Sequence, residues 1–133
     1  MSWDIFAMDV PPQFKSMEEI PSDLRPKPLG SRSAVIAKIK GIIPTANFSD
    51  PSWGVIEKDG WSIELNMGND EICDDFAFHV RGDGDEAVEV VARILDGLGI
   101  RGFDPQTGGL FEAGPSAIAS FNEWRAFRDK ERS

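Results

Sequence analysis

Between Trp53 and Gly82 the chain reads WGVIEKDGWSIELNMGNDEICDDFAFHVRG, and this stretch commits the fold to a sheet with one dry and one wet face. Trp61, Ile63, Leu65 and Met67 alternate with Ser62, Glu64 and Asn66. Further on, Phe76, Phe78 and Val80 alternate with Ala77, His79 and Arg81. Successive side chains of a strand point to opposite faces, so a period of two over this length describes a half-buried antiparallel sheet. Asp59-Gly60, just before the first run, is the pair expected in a two-residue hairpin whose central residues both take positive φ. Glu64, Asn66, His79 and Arg81 should therefore share one partly solvated face, and that face is the expected working surface.

The rest of the chain supplies partners for this sheet. Trp3 to Val10 is apolar in both alternating sets, as in an inner strand covered on both faces. Residues Pro11 to Gly30 hold five of the nine prolines. Proline donates no amide and restricts the residue before it, so this segment reads as a surface strap with at most one helical turn near Ser16 to Ile20. Phe14, Met17, Ile20 and Leu24 are its apolar anchors. Ser31 caps a helix with the stripe Val35, Ile36, Ile39, Ile42 and Ile43, stopped by Pro44. Strands at roughly Gly54 to Lys58, Trp61 to Met67 and Asp75 to Arg81 follow. Asp83 or Asp85 then caps a helix with the stripe Val88, Val91, Ile94, Leu95 and Leu98, closed by Gly97 or Gly99. Ile100 to Asp104 reads as a strand, Pro105 to Gly108 as a turn into Leu110-Phe111, and residues 115–130 as a last helix with Pro115 in its first turn.

This order predicts one α+β domain over residues 1–133, built on an antiparallel-rich mixed sheet with helices mainly on one face. It corresponds to a ferredoxin-like split βαβ with an extra strand and a C-terminal helix. On that last helix Phe121, Trp124 and Phe127 recur every three residues. They either dock it on its own sheet or form a dimer or partner contact.

Charge and composition narrow the function. The chain is 41% apolar and 28% charged, the balance of a globular protein. No apolar run approaches the roughly 20 residues that span a bilayer, and the N-terminus lacks the basic flank of a secretory signal. The one cysteine, Cys73, excludes an internal disulfide framework and points to a reducing, cytoplasmic compartment. A net charge of −9 argues against nucleic acid as a partner, since neutralising phosphate supplies most of that affinity. From Asp70 to Glu86 seven acids face one base, Arg81, a net of −6 in that stretch. Such an acidic edge repels nucleic acid and anionic membrane and steers a basic protein toward itself. Acid-rich loops also serve simply to keep a small protein soluble. The C-terminal stretch leans the other way, with Arg125, Arg128, Lys130 and Arg132.

Few residues are candidates for chemistry. His79 is the only histidine, hence the only side chain that titrates near neutrality unaided. Oriented by Glu64 or Asn66 on a neighbouring strand, it would act as a general base. Arg81, two residues on and on the same face, would clamp a carboxylate or phosphate. The same set equally makes an ordinary cross-strand ladder that finishes the sheet surface. Metal is not expected: the twelve-residue calcium loop is absent, and Asp83 and Asp85 have sufficient work as helix caps. Gly82-Asp83-Gly84 is not a phosphate cradle, because its acids would repel phosphate and no lysine follows. Cys73 lies among Asp70, Glu71, Asp74 and Asp75, which raise a thiol pKa and make it a poor nucleophile. Ser62 lacks the sequence context of a hydrolase nucleophile.

Four segments, WDIF-x-x-DVPP, FSDPSWG, WSIELNMG and FAFHVRG, together resemble a family of small conserved bacterial proteins. The likeness runs from Trp3 to about Phe111. It implies a bacterial cytosolic single domain and brings no activity, cofactor or catalytic residue with it. The leading expectation is a non-catalytic protein-binding module of a regulatory or immunity type. Asp70, Glu71, Asp74, Asp75, Asp83 and Asp85 would steer a basic partner, and Glu64, Asn66, His79 and Arg81 would give local specificity. The alternative is a small enzyme or ligand-binding domain with His79 as base, Glu64 as its orienter and Arg81 as anion clamp. No cofactor is expected under the first reading, and a homodimer is compatible with it.

Overall fold

The computed structural model of the chain describes residues 3–9, 13, 17–24, 27–82, 85–104 and 109–111. In order these form β1 (Trp3–Met8), a 3-10 turn (Met17–Glu19), β2 (Gly30–Ser31), α1 (Arg32–Ile42), β3 (Asn47–Asp50) and β4 (Trp53–Lys58). They continue with β5 (Trp61–Asn66), β6 (Ile72–Cys73), β7 (Asp75–Gly82), α2 (Asp85–Leu98), β8 (Arg101–Asp104) and β9 (Gly109–Phe111). Seven strands make one sheet in the order β3-β4-β5-β7-β1-β8-β9, and β2 pairs separately with β6. The fold is thus α+β. No helix among the described residues is long and apolar enough to cross a membrane.

The sheet is not mixed. Every pairing among the described strands is antiparallel. The reason is the path of the chain through α1: β1 and β5 both run opposite to β7, hence parallel to each other, and β7 lies between them. Strands that would pair in parallel are held one position apart.

Local sequence accounts for most elements. Lys58 pairs with Trp61, so Asp59-Gly60 is a two-residue hairpin loop as expected. Its turn type differs: Gly60 has φ +92° while no described non-glycine residue has positive φ, so Asp59 keeps an ordinary backbone. Glycine alone supplies the left-handed residue, which spares aspartate the steric cost. The Ser31 hydroxyl accepts from the Ala34 amide 3.2 Å away and caps α1, whose Val35 and Ile39 are buried. α2 closes at Gly99 (φ +66°), with Gly99 N–H on Asp96 O and Ile100 N–H on Leu95 O, the paired bonds of a Schellman cap. The caps proposed for α2 are partly out of view: Asp83 lies outside the described residues, and Asp85 is the first helical residue.

Buried residues of β1, β4, β5, β7, α1 and α2 form one cluster that includes Trp3, Ile5, Val35, Ile39, Ile63, Phe78, Val91 and Ile94. β1 is an inner strand, but its two faces differ: Trp3, Ile5 and Ala7 are buried whereas Asp4, Phe6 and Met8 are half-buried. Three strands were not anticipated. β3 has no hydrophobic alternation, and side-chain bonds from Asn47 to Ser49 and from Asp50 to Ser52 shape it instead. The Ser52 hydroxyl and amide, both donating to Asp50, hold its carboxyl below the usual range. β2 and β6 are two residues each, too short to leave a pattern. Of the proline-rich strap, the 3-10 turn falls where one helical turn was expected, and the Lys27 and Leu29 amides tie it to Asp9 and Cys73. The turn at Pro105–Gly108 and the helix at 115–130 lie outside the described residues.

Candidate functional site

Antiparallel register assembles the site. One row across the sheet runs Val55, Glu64, His79, Asp4 on β4, β5, β7 and β1. The next runs Trp53, Asn66, Ala77, Phe6, Phe103, reaching β8. Ser62 faces Arg81. Glu64, Asn66, His79 and Arg81 therefore share one face, the one alternating with the buried Trp61, Ile63, Leu65, Phe78 and Val80.

Their contacts differ from the expected ones. His79 Nδ1 lies 2.7 Å from Asp4 Oδ1, and the Trp53 ring stacks on the imidazole at 5.6 Å and 19°. Glu64 is not the orienter. Its Oε1 accepts from Arg81 Nε at 3.2 Å, so it belongs to the arginine and Asp4 belongs to the histidine. Both aspartate and glutamate flank His79 in register, one from each neighbouring strand. Each pairs with the partner its length suits: the short aspartate meets the imidazole directly, and the longer glutamate reaches diagonally to Arg81. Asp4 and Trp53 escaped sequence reasoning because only the pairing of β1 with β7, 75 residues apart, brings Asp4 to the ring.

At the end of this face where β7 begins, the surface falls into a cleft of about 550 Å³. Phe6, Met8 and Ala77 of the sheet line it beside Asn66, and Asp70, Asp74 and Asp75 stand in its wall with Ile72. Two large apolar side chains are prominently exposed among the described residues: Ile72, at 52%, in the cleft wall, and Trp53, at 37%, paired in register with Asn66.

The acidic wall is braced. Arg32 donates from its amide to Glu71 O at 2.8 Å and from Nη1 to Gly68 O at 2.8 Å, tying the loop between β5 and β7 to the start of α1. Asn66 Oδ1 accepts from Gly68 N–H, and β6 holds Ile72–Cys73 against β2. Carboxylates held on a tied loop need little ordering when they meet a ligand. Cys73 faces inward. Burial first, then Asp75 and Asp74, push its thiol up to about 11, so it is a poor nucleophile as the acids around it implied.

The acidic edge is not continuous. Asp70, Asp74 and Asp75 lie at the start of β7, while Glu86 follows its far end and pairs with Lys58 at 3.1 Å. The intervening eight-residue strand separates the two groups, because an extended chain advances about 3.3 Å per residue. Asp83 lies outside the described residues. Among those described, no group of three or more His, Cys, Asp or Glu side chains is placed to hold a metal ion. Arg81 remains half-exposed beyond its bond to Glu64, on the same face but nearer the opposite end of β7 from the cleft.

No family model, no curated protein and no solved structure matches the chain. No family assignment follows for the chain, and the site's own chemistry carries the functional argument.

Proposed function

We propose that the protein is a non-catalytic binding module of the bacterial cytosol that receives a basic segment of a partner protein in its acid-walled cleft. The observation that carries this reading is the combination in one place of an apolar floor (Phe6, Met8, Ala77) with carboxylates on a braced loop (Asp70, Asp74) and at the first residue of β7 (Asp75). A lysine or arginine side chain is itself built that way, with an alkyl stem below a cation. The net charge of −9 adds long-range attraction for such a partner and repels polyanions. Glu64 and Arg81 pair with each other and Asp4 with His79, which suits a mixed polar surface beside the cleft. The supporting framework is a ferredoxin-like split βαβ with both helices on the face opposite the cleft, a reading favoured by the order β5-β7-β1-β8 and by the single cluster joining both helices to the sheet.

The test is capture from bacterial extract by the wild-type chain and by the Asp74→Lys/Asp75→Lys variant, followed by affinity measurement with the purified captured protein. A stoichiometric basic protein should bind the wild type and be shed as salt rises. Its affinity for the variant should fall by at least about tenfold, with most of the change in the association rate. Equal binding by both chains would overturn the reading.

A second reading rests on the Asp4–His79–Trp53 arrangement. A carboxylate on Nδ1 fixes the tautomer and leaves Nε2 for a ligand, the disposition of a general base. In this version Asp4 replaces Glu64 as orienter, and Arg81 serves as anion clamp only by exchanging Glu64 for the ligand. Loss of ligand binding or turnover in His79→Gln, with basic-partner affinity unchanged, would select it.

A further inference from the structure

We propose that the protein binds a free α-amino acid with an apolar side chain in a second cavity, walled by α1, β3 and the reverse of the acidic loop. The site stands apart from the reading of the first cleft, because no residue lines both.

One loop separates the two cavities. Gly68, Asp70 and Ile72 line the acid-walled cleft, whereas the residues between them, Asn69 and Glu71, line the second cavity, of about 460 Å³. Small-ligand sites run from roughly 300 to 1,000 Å³, so the space suits an amino acid. Ile36, Phe48 and Pro51 make its apolar wall. Ile36 and Phe48 are half-buried, packed against the core cluster with surface left toward the cavity. The Phe48 ring lies so close over Gly54 that a Cβ there would collide with it, which seats this wall on the backbone of β4.

The charged groups select the ligand. Arg32 and Glu71 both line the cavity, and the Arg32 amide donates to Glu71 O at 2.8 Å, so the two residues are immediate neighbours. Among the described residues their side chains nevertheless form no ion pair, although Lys58 meets Glu86 and Arg81 meets Glu64 elsewhere. Asp50 feels the Arg32 charge without contacting it. Arg32 spends Nη1 on Gly68 O, which leaves the Nε and Nη2 edge that grips a carboxylate with two parallel bonds. Glu71 is exposed and can accept from an ammonium group. A simple carboxylate would meet repulsion from Glu71, and a simple amine would meet it from Arg32. An α-amino acid carries both charges on one carbon and satisfies both side chains at once. Its own side chain then has Ile36, Phe48 and Pro51 to pack on, while Ser33 and Asn69 supply further polar groups in the wall.

Titration calorimetry on the full chain, with L-phenylalanine and L-leucine as probes, tests the site. One molecule should bind per chain. Phenylacetate, which lacks the ammonium, and phenethylamine, which lacks the carboxylate, should each bind on the order of tenfold more weakly than L-phenylalanine. Glu71→Gln should bring L-phenylalanine and phenylacetate to similar affinities, and Arg32→Gln should do so for L-phenylalanine and phenethylamine. Each is a difference between probes within one variant, so a change in folding stability does not produce it. Asp74→Lys/Asp75→Lys should still bind L-phenylalanine. No binding of either amino acid in the millimolar range would overturn the proposal, as would equal affinity for L-phenylalanine and both analogues in the wild type. So would binding lost in Asp74→Lys/Asp75→Lys and kept in Glu71→Gln, which would put the ligand in the first cleft. Amino-acid binding by a chain that captures no basic protein would sink the module and keep this site, and the reverse result would do the opposite.

Discussion

His79 and Asp4 meet across the β7–β1 ladder, Nδ1 to Oδ1 at 2.7 Å, where each is the other's direct partner in register. The contact joins the N-terminal strand to the middle of the sheet on the exposed face, with Trp53 stacked over the ring. Because both side chains retain access to water, the interaction is screened and its energy modest. A double-mutant cycle with Asp4→Ala and His79→Ala, read by urea unfolding, should return a coupling of about 0.5 to 1 kcal/mol. A coupling of zero would show that the pair does not form in solution.

Trp3 makes the corresponding contact on the buried face, donating from Nε1 to Asp104 Oδ2 at 3.1 Å and tying β1 to β8. Trp3→Phe keeps most of the ring and removes this donor. Taking one hydrogen bond from a buried carboxylate should cost about 1 to 3 kcal/mol. Adding Asp104→Asn should recover part of that loss, because a neutral amide is less costly to leave short of a donor. Full additivity of the two substitutions would contradict the account.

Glycines separate by what surrounds them. At Gly82 the backbone has φ +100°, and an added Cβ would run into the Gly60 carbonyl and the Trp61 Cα at 2.6 Å. Gly82→Ala should therefore destabilise the fold by about 2 kcal/mol or more, from strained backbone and close approach together. Gly41 lies inside α1 with ordinary φ and open space around it. Gly41→Ala should stabilise by about 0.5 to 1 kcal/mol. Thermal unfolding of the two variants side by side checks the opposite signs.

Cys73 sets a pH dependence. Its thiol is raised to about 11 in the folded chain, by burial and by Asp75 and Asp74, against a value near 9 when unfolded. Below about pH 9 both states keep the proton and the residue is silent. Between pH 9 and 11 the unfolded chain ionises first, so stability should fall with rising pH over that window. Cys73→Ala should flatten this part of the curve. The native thiol should also resist alkylation at pH 8 and react on unfolding; rapid labelling of the folded protein would contradict its burial.

How much of this was legible before the structure varied with the range of the interaction. α1 could be placed from Ser31 to its stop because cap, stripe and Pro44 are all within one helix length. β5 and β7 were readable for the same reason, since alternation is a property of each strand alone. β3 was not, because its shape comes from Asn47 and Asp50 bonding their neighbours and leaves no hydrophobic period. The φ of Asp59 was misread because Asp-Gly serves more than one turn type, and the sequence pair does not choose between them.

The site divides along the same line. Alternation alone determined that Glu64, Asn66, His79 and Arg81 face one way, since side-chain direction in a strand is local geometry. It also determined that an acidic loop precedes β7. Only the tertiary structure decided who pairs with whom. Placing β1 beside β7 brought Asp4 to His79 and released Glu64 to Arg81, and it set Phe6 and Met8 as the floor beneath Asp70, Asp74 and Asp75. Strand order and register arise from burying Trp3, Ile5, Ile63, Phe78 and Val91 together in one cluster, a sum over residues far apart in the chain, and no short window of sequence contains it.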